Sequence, residues 1–506
     1  MTQLLKNEYG FTVANMLSNF ALLTDGYKFS HHLQRPYGVH TMEYYFSSRG
    51  TITGKDGKTP KYNGSYLFGL RAKLLMRLCN VKLTREDVLQ AEKFVNARFP
   101  NPVFNLEDWL HIVDHYGGKL PLELRAVPEG TFVPTGNVMW AMKNIGGERT
   151  AWLPGYLETT LSHGWLTNAV ATNSAKIKQI LLKYHKLTSD QPIAAVDWQV
   201  HDFGFRGVGD ENIAGLAGMA HLTSFNGSDT TVGDIFACTL YDAVTIPSMT
   251  IPASEHSTAT PFGLDMKGEM AYLKNMLIKF PTGPVATVAD SNDIINFIEN
   301  VAGSPELKEM ILSRSEDSPW ICRPDSGDPV MSTLKVAQAL WRTFGGTTNS
   351  KGYMTYIPQV KFIQGDGIDL DMTEDIILNL IKHGFSIDVN AYGSGGGLLQ
   401  KFDRDTFKNA IKCSYMKLND GTEVDVLKNP MEYDKDGNYV RSFKKSRAGQ
   451  LALIRHDDGS METVTRKEAG DRDLLEVVFY LGDYVGHANN SWEQIKARIA
   501  NDIDKV

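Results

Sequence analysis

The stretch QVKFIQGDGIDLDMTEDIILNLIKHG, residues 359–384, changes rhythm at Gly365 and Asp366: a short alternating run stops there and a helical pattern follows. Two other stretches repeat the change. VATVADSNDIINFIENV, residues 285–301, passes from strand to helix at Asp290 and Ser291. SIDVNAYGSGGGLLQKFDRDTF, residues 386–407, does so at its glycine run, after an alternating strand through Ile387, Val389 and Ala391. Strand, polar loop, helix, repeated, predicts an α/β fold on a parallel sheet or barrel. In such folds the loops at the C-terminal ends of the strands carry ligand chemistry, and the polar residues just named stand there.

The rest of the chain bounds what that fold can do. Its 506 residues exceed one ordinary core, so two or more domains are expected, with one large barrel allowed for. Hydrophobic residues make up 42% and charged residues 22%, which is ordinary for a soluble globular protein. The net charge is −7 and no run of five basic residues occurs, which argues against a nucleic-acid surface. RSFKKSR, residues 441–447, would suit a small anionic ligand better than a duplex. The four cysteines, Cys79, Cys238, Cys322 and Cys413, form no CxxC pair, which fits a reducing cytoplasm and neither a zinc site nor a disulfide framework. No apolar run approaches the roughly 18 residues of a membrane span. MTQLLKNEYGFTVANMLSNFALL, residues 1–23, is interrupted by Lys6, Asn7 and Glu8 and does not read as a signal peptide. A cytoplasmic protein with no membrane partner is expected.

Outside the βα region, residues 47–65 read as an exposed Gly-, Lys-, Ser- and Thr-rich loop. Thr84 and Asp87 open a helix by a capping box, with Val88, Ala91 and Val95 on its apolar face. Ser491 and Gln494 do the same near the C-terminus, ahead of a face of Trp492, Ile495 and Ile499.

Several motifs carry candidate chemistry. GSGGGLL, Gly393 to Leu399, brings four glycines to a strand end, where bare backbone N–H groups can approach an anion; no GK[ST] follows, so it is not a Walker loop. CRPDSGDP, residues 322–329, groups Arg323, Asp325 and Asp328 around one turn, and QGDG, residues 364–367, sets Asp366 between glycines, apt for ribose hydroxyls or hydrated Mg²⁺. VHDFGFRGVGDE, residues 200–211, offers Asp202, the ring face of Phe203 and the cation Arg206; FNGSDTT, residues 225–231, adds Asp229. IPASEHSTAT, residues 251–260, places His256 beside Glu255, as a surface turn or as a titrating group with its orienting carboxylate. Taken singly, each motif reads as structure; their shared position after strands points to a site for a phosphorylated sugar and a flat heterocycle. A glycosyl-transfer enzyme and a nucleotide-binding regulator without turnover can both use such a site, and the acidic, cationic and histidine groups favour the enzyme.

The stretches LLTDGYKFSHH, HDFGFRGVGDENIAGLAGMAHL, IPASEHST, CRPDSGDP, IQGDGID and YGSGGGLLQKFDRD resemble, in order and spacing, those of the nicotinamide phosphoribosyltransferase family. PLELRAVPEGTFVPTGN and KCSYMKLNDG extend the likeness over nearly the whole chain. The resemblance implies a type II phosphoribosyltransferase: an irregular α/β barrel over residues 161–404, with a second α/β domain built from residues 1–160 and 405–506. It implies transfer of phosphoribosyl from phosphoribosyl pyrophosphate to nicotinamide in NAD biosynthesis, by a homodimer with shared sites.

Carried over by motif, Phe203 and the partner subunit's Tyr27 would sandwich the pyridine ring, with Asp229 facing the carboxamide NH₂ and Arg323 its oxygen. Asp325, Gly365 and Asp366 would hold the ribose, and Gly395 and Gly396, with Arg404 from the partner subunit, the 5′-phosphate. Arg206, with Lys412 and Lys428 from the partner subunit, would neutralise the diphosphate, assisted by Mg²⁺. Asp25, Thr250 and Asp290 complete the implied set. His256 would accept a phosphoryl group from ATP, oriented by Glu255. Ala410 stands where a phosphate-binding serine is expected, and the roles of Lys444 and Lys445 stay open. The same chemistry on nicotinate is the nearest alternative, disfavoured because an anionic base would be repelled by Asp229.

Overall fold

The computed structural model describes residues 7–12, 15–433, 437–441, 446–486 and 490–506. The first six residues, Lys444 and Lys445 lie outside that description. Two compact units result: Met1–Ala169 with Asp403–Ile495, and Val170–Phe402 with Lys496–Val506. These limits differ from boundaries at 160 and 404. The first falls inside a continuous helix, Trp165–Thr188, and the last eleven residues go with the second unit. There, Lys176 donates to the Val506 carbonyl (2.7 Å) and Gln179 to that of Ile503 (3.0 Å).

The first unit is built on an antiparallel seven-stranded sheet. Its strands run in the order Glu423–Asp425, Ala410–Leu418, Val39–Ser47, Val138–Asn144, Leu122–Ala126, Glu476–Tyr480 and Asp483–Tyr484. Both ends of the chain thus contribute strands to one sheet. Phe46 stacks on Trp140 at 5.3 Å, and Trp109, Leu124 and Phe479 are fully buried in the same core. The predicted capping box at Thr84 and Asp87 opens the helix Arg85–Asn96, whose Val88, Ala91 and Val95 are buried.

The second unit carries six parallel strands in the order Gly227–Ser228, Val200–Asp202, Asn390–Ser394, Val360–Gln364, Trp320–Arg323 and Val285–Val288. Every residue of Val285–Val288 is buried, as befits a strand covered on both faces. The helices Pro329–Phe344 and Leu370–Lys382 follow their strands and bury Leu334, Ala337 and Leu340, and Ile376, Ile377 and Leu380.

One expected strand is shorter than the alternation predicts: Ile387–Val389 is a 3₁₀ turn and the strand is Asn390–Ser394. Ser386 caps that turn, its hydroxyl accepting from Asp388 N–H at 3.3 Å, while Ile387 and Val389 are still buried. Alternate burial does not distinguish the two conformations.

The sheet's edges do not stay open. Residue Met249 bridges Gly227 on one edge strand, and Ala253 bridges Ala286 on the other. Asn226 and Pro252 carbonyls accept from Met249 and Ala286 (both 2.9 Å), and Ser254 N–H donates to the Ala286 carbonyl (3.1 Å). An irregular segment with no ladder of its own thereby closes the barrel. Among the described residues no helix is long and apolar enough to cross a membrane.

Neighbouring barrel strands are also tied by a buried side-chain bond: Trp320 Nε1 donates to Thr287 Oγ1 at 2.8 Å, with both residues fully buried. Thr287→Val keeps the shape and orphans the indole N–H. It should destabilise the fold by about 1–3 kcal/mol, read as a lower urea midpoint at unchanged slope.

Candidate active site

Three of the strand-to-helix loops carry aspartates in pairs three residues apart, and the second of each pair is a helix cap. Asp293 Oδ1 accepts from the Ile295 and Asn296 N–H groups (2.9 and 3.0 Å), Asp328 Oδ1 from Met331 (2.8 Å), and Asp369 Oδ1 from Met372 (3.0 Å). Such caps satisfy N–H groups that the first helical turn leaves unpaired. Asp328, expected to share a site with Arg323, is therefore committed to its helix. The first aspartates, Asp290, Asp325 and Asp366, remain at the strand ends.

Two of them join a closed chain of contacts. His256 Nε2 lies 3.1 Å from Asp290 Oδ1, and Asp290 Oδ2 accepts from the Asp325 backbone N–H at 3.0 Å. Asp325 Oδ2 accepts from Arg323 Nη2 at 3.0 Å and is 3.9 Å from His256 Nδ1. Arg323 Nη1 reaches the Ser254 carbonyl at 3.2 Å. The Asp290 side chain is 5% exposed and that of His256 44%, so the carboxylate is fixed while the ring stays accessible.

Glu255 is not the carboxylate that faces His256. It occupies the N-cap of the one-turn helix His256–Ala259, where its carboxylate accepts from the Ser257 hydroxyl and its N–H meets Thr258 Oγ1 at 3.2 Å. Side chains of consecutive residues around a helix start point apart, so a sequence neighbour is poorly placed to orient the ring.

A cavity of about 530 Å³ opens beside these groups, lined among others by His201, Phe203, Asp229, Thr250 and Arg323. The Phe203 ring crosses the end of the Asn390–Ser394 strand, where a Cβ on Gly393 would meet it at 2.0 Å; a side chain at 393 would expel the ring. The Arg323 guanidinium stands 5.9 Å from the centroid of the same ring. Asp229 Oδ1 is held by His201 Nε2 at 3.1 Å and by the Thr250 hydroxyl. Burial pushes the Asp229 carboxyl up, but the His201 and Thr250 bonds and nearby Arg323 outweigh it and hold it below the usual carboxylate range.

Sequence reading missed His201, although strand alternation places it two residues before Phe203 and on the same face.

The glycine run forms a tight corner. A Cβ on Gly397 would lie 2.2 Å from the Ile368 carbonyl, so this glycine lets two strand-end loops touch. Gly395 is the cap and Gly396 the first residue of a single helical turn, Gly396–Leu399, and Gly365 and Asp366 stand in the adjoining loop. Arg206 is exposed on the 3₁₀ turn Phe205–Gly207.

Five of the sequence-predicted residues lie in the first unit. Asp25 accepts from the Thr159 hydroxyl at 2.6 Å, and Tyr27 is 61% exposed with its ring edge-on to His31. Arg404, Lys412 and Lys428 are gathered with Arg49, a residue that nothing in its loop's composition singles out. Burial lowers the Lys412 ammonium, Glu158 opposes, and Arg49, Lys428 and Arg404 lower it further. Ala410 opens the strand that carries Lys412.

Comparison with known proteins adds the following. The sequence profile of the nicotinate phosphoribosyltransferase (NAPRTase) family matches residues 198–456, and that of the nicotinamide phosphoribosyltransferase N-terminal domain matches residues 19–124. A nicotinamide phosphoribosyltransferase from Xanthomonas campestris pv. campestris is 38% identical over 441 residues, 87% of this chain and 88% of that one. Its counterpart from Acinetobacter baylyi is 30% identical over 410 residues, 77% and 78% of the two chains. Among solved structures, nicotinate-nucleotide pyrophosphorylase from Pyrococcus furiosus superposes with a TM-score of 0.56 at 14% identity, covering 99% of both chains. Human nicotinic acid phosphoribosyltransferase does so at 0.53 and 14%, covering 96% and 94%. These two establish likeness of fold.

The His201 contact makes a prediction about charge. His201→Phe removes one of the bonds that depress the Asp229 carboxyl, so its titration midpoint should move up toward and beyond the ordinary aspartate range. Carboxyl ¹³C shifts followed against pH, with Asp229→Asn to assign the signal, measure it; an unmoved midpoint contradicts the contact.

Proposed function

The chain belongs to the nicotinate phosphoribosyltransferase family, and from that membership we propose that it is a pentosyltransferase acting on nicotinamide. It moves the phosphoribosyl group of phosphoribosyl pyrophosphate onto the pyridine nitrogen, giving nicotinamide mononucleotide and pyrophosphate. The observation that carries the choice of base is Asp229. Its Oδ1 already accepts from His201 and Thr250, which leaves Oδ2 as an acceptor for one more donor. A carboxamide NH₂ is such a donor and a nicotinate carboxylate is not. Phe203 supplies a stacking face and Arg323 a donor for the carboxamide oxygen.

The remaining groups suit the sugar and its phosphates. Departure of diphosphate builds positive charge on the ribose, so catalysis is mainly positioning and charge stabilisation. Asp325 and Asp366 are acceptors for ribose hydroxyls, and the corner at Gly395 and Gly396 admits the 5′-phosphate. In a homodimer, Tyr27, Arg404, Lys412 and Lys428 would complete the partner subunit's site. Among the described residues no group of three or more carboxylate, imidazole or thiol side chains is arranged to hold a metal. A Mg²⁺ carried largely by phosphate oxygens, its usual mode, would neutralise charge on the leaving diphosphate.

His256 is the proposed phosphoryl acceptor. With Nε2–H donated to Asp290, Nδ1 keeps the lone pair that attacks the γ-phosphorus of ATP, forming a P–N bond as the bond to ADP breaks. Hydrolysis of the phosphoenzyme would draw the transfer forward.

Two measurements test the reading. Asp229→Ser should lower kcat/KM for nicotinamide by about 1.5–3 kcal/mol, about 10- to 150-fold, and narrow the preference over nicotinate; an unchanged amide-to-acid ratio contradicts the assignment. His256→Ala should abolish an acid-labile, base-stable phosphoryl label and ATP hydrolysis while retaining basal transfer. Asp290→Asn should slow labelling more than Glu255→Gln does, since Asp290 faces the ring. ATP stimulation that survives His256→Ala would return this histidine to the surface.

A further inference from the structure

Asp202 is a fully buried carboxylate that no step above uses. It ends the strand Val200–Asp202, and its oxygens reach into two different loops. Oδ1 accepts from the Gly204 N–H at 2.7 Å, in the turn that carries the Phe203 ring. Its carbonyl accepts from the Asp229 N–H at 2.9 Å, and Oδ2 from Ser228 Oγ at 3.4 Å, in the loop that carries the base acceptor. Ser228 Oγ in turn accepts from the Thr230 N–H at 2.9 Å. The helix Glu211–His221 closes over the carboxylate so tightly that a Cβ on Gly218 would stand 3.5 Å from Oδ2.

A buried carboxylate is a costly way to satisfy one N–H, which a serine or the backbone could do. What a carboxylate offers is two acceptor oxygens on one rigid plane, here aimed at Gly204 and Ser228. Those residues flank the two side chains that read the base. We propose that Asp202 is a positioning residue of the base pocket, fixing the distance and angle between the Phe203 ring and the Asp229 carboxylate. The proposal rests on the base-site reading given above.

Its protonation state is the handle for a test. Burial pushes the Asp202 carboxyl up to about 6, against the pull of the Thr230 hydroxyl, the Gly204 N–H and His201. Below that pH the carboxyl is neutral: one oxygen still accepts from the Gly204 N–H, and the other becomes a donor that turns round the bond to Ser228 Oγ, the pattern an asparagine carries. The titratable groups around it are His201 and Asp229 in the pocket and His221 on the overlying helix. Burial lowers His221 to about 3, so it stays neutral through that range.

The experiment measures steady-state KM and kcat for nicotinamide against pH, with the KM for phosphoribosyl pyrophosphate beside them. Wild type and Asp202→Asn should follow one nicotinamide KM profile as pH falls through about 6, because a neutral carboxyl and an asparagine offer Gly204 and Ser228 the same acceptor and donor. Asp202→Ala should raise that KM about tenfold at pH 8, with kcat and the other KM moving less than about threefold. Asp202→Asn keeps an acceptor for Gly204 and a partner for Ser228, so its pH 8 KM should stay within about threefold of wild type. Ser228→Ala removes the Oδ2 donor, and with it the acceptor of the Thr230 N–H, and should raise nicotinamide KM several-fold, which keeps the test open if the alanine variant does not fold. An unchanged nicotinamide KM in Asp202→Ala or Ser228→Ala, an equal rise for both substrates, or a nicotinamide KM in Asp202→Asn as high as in Asp202→Ala overturns the proposal. Asp229→Ser run in parallel separates the cases: if it too leaves nicotinamide KM untouched, the base-site reading has failed instead.

Discussion

The site depends on how the barrel closes. Six parallel strands leave two unpaired edges, and Met249 to Ser254 joins them through single bridges rather than a ladder. A regular strand there would pair along its whole length and turn its side chains alternately inward and outward. The irregular segment instead gives each edge a few backbone bonds and leaves the others for the pocket. The Ser254 carbonyl takes a bond from Arg323, and the Thr250 hydroxyl meets Asp229. Residues from opposite edges of the sheet thus come to face one another across a cavity.

Charge in this pocket is arranged in advance. Arg323 is paired with Asp325, Asp290 with His256, and Asp229 with His201. Each partner restrains a group that must not swing freely when a ligand arrives, and each leaves some donor or acceptor capacity unused. Carboxylate contacts of this kind add little stability on their own because desolvation offsets attraction. Their use here is positional: Asp290, 5% exposed, grips both the His256 ring and the Asp325 backbone, so two chemical stations share one anchor.

The same economy governs the loops. The second aspartate of each pair caps a helix, which fixes where the helix starts and so where the first aspartate sits relative to the strand end. Asp325 and Asp366 are aimed by Asp328 and Asp369 without touching them. A substitution at a cap would shift the strand-end carboxylate through the backbone, with no change in the pocket's composition.

Much of this was legible in the sequence. Alternating or apolar runs that stop at glycine or aspartate and give way to helical spacing specify strand, loop and helix locally, because side-chain periodicity follows from backbone geometry. That placed Asp290, Asp325, Asp366 and the glycine run at strand ends, and Phe203 and Asp229 in neighbouring loops. What periodicity cannot carry is partnership between residues far apart in the chain. Glu255, next to His256, was the natural orienter on paper, yet Asp290, 34 residues away, holds the ring. Asp325 and Asp328 differ in role because the helix starts at Pro329, which makes Asp328 the cap. The closing segment, the Asp229–His201 contact and the double grip of Asp202 exist only once distant strands are brought side by side. Local sequence determines which elements form; which carboxylate meets which ring is settled by register and closure, properties of the whole sheet.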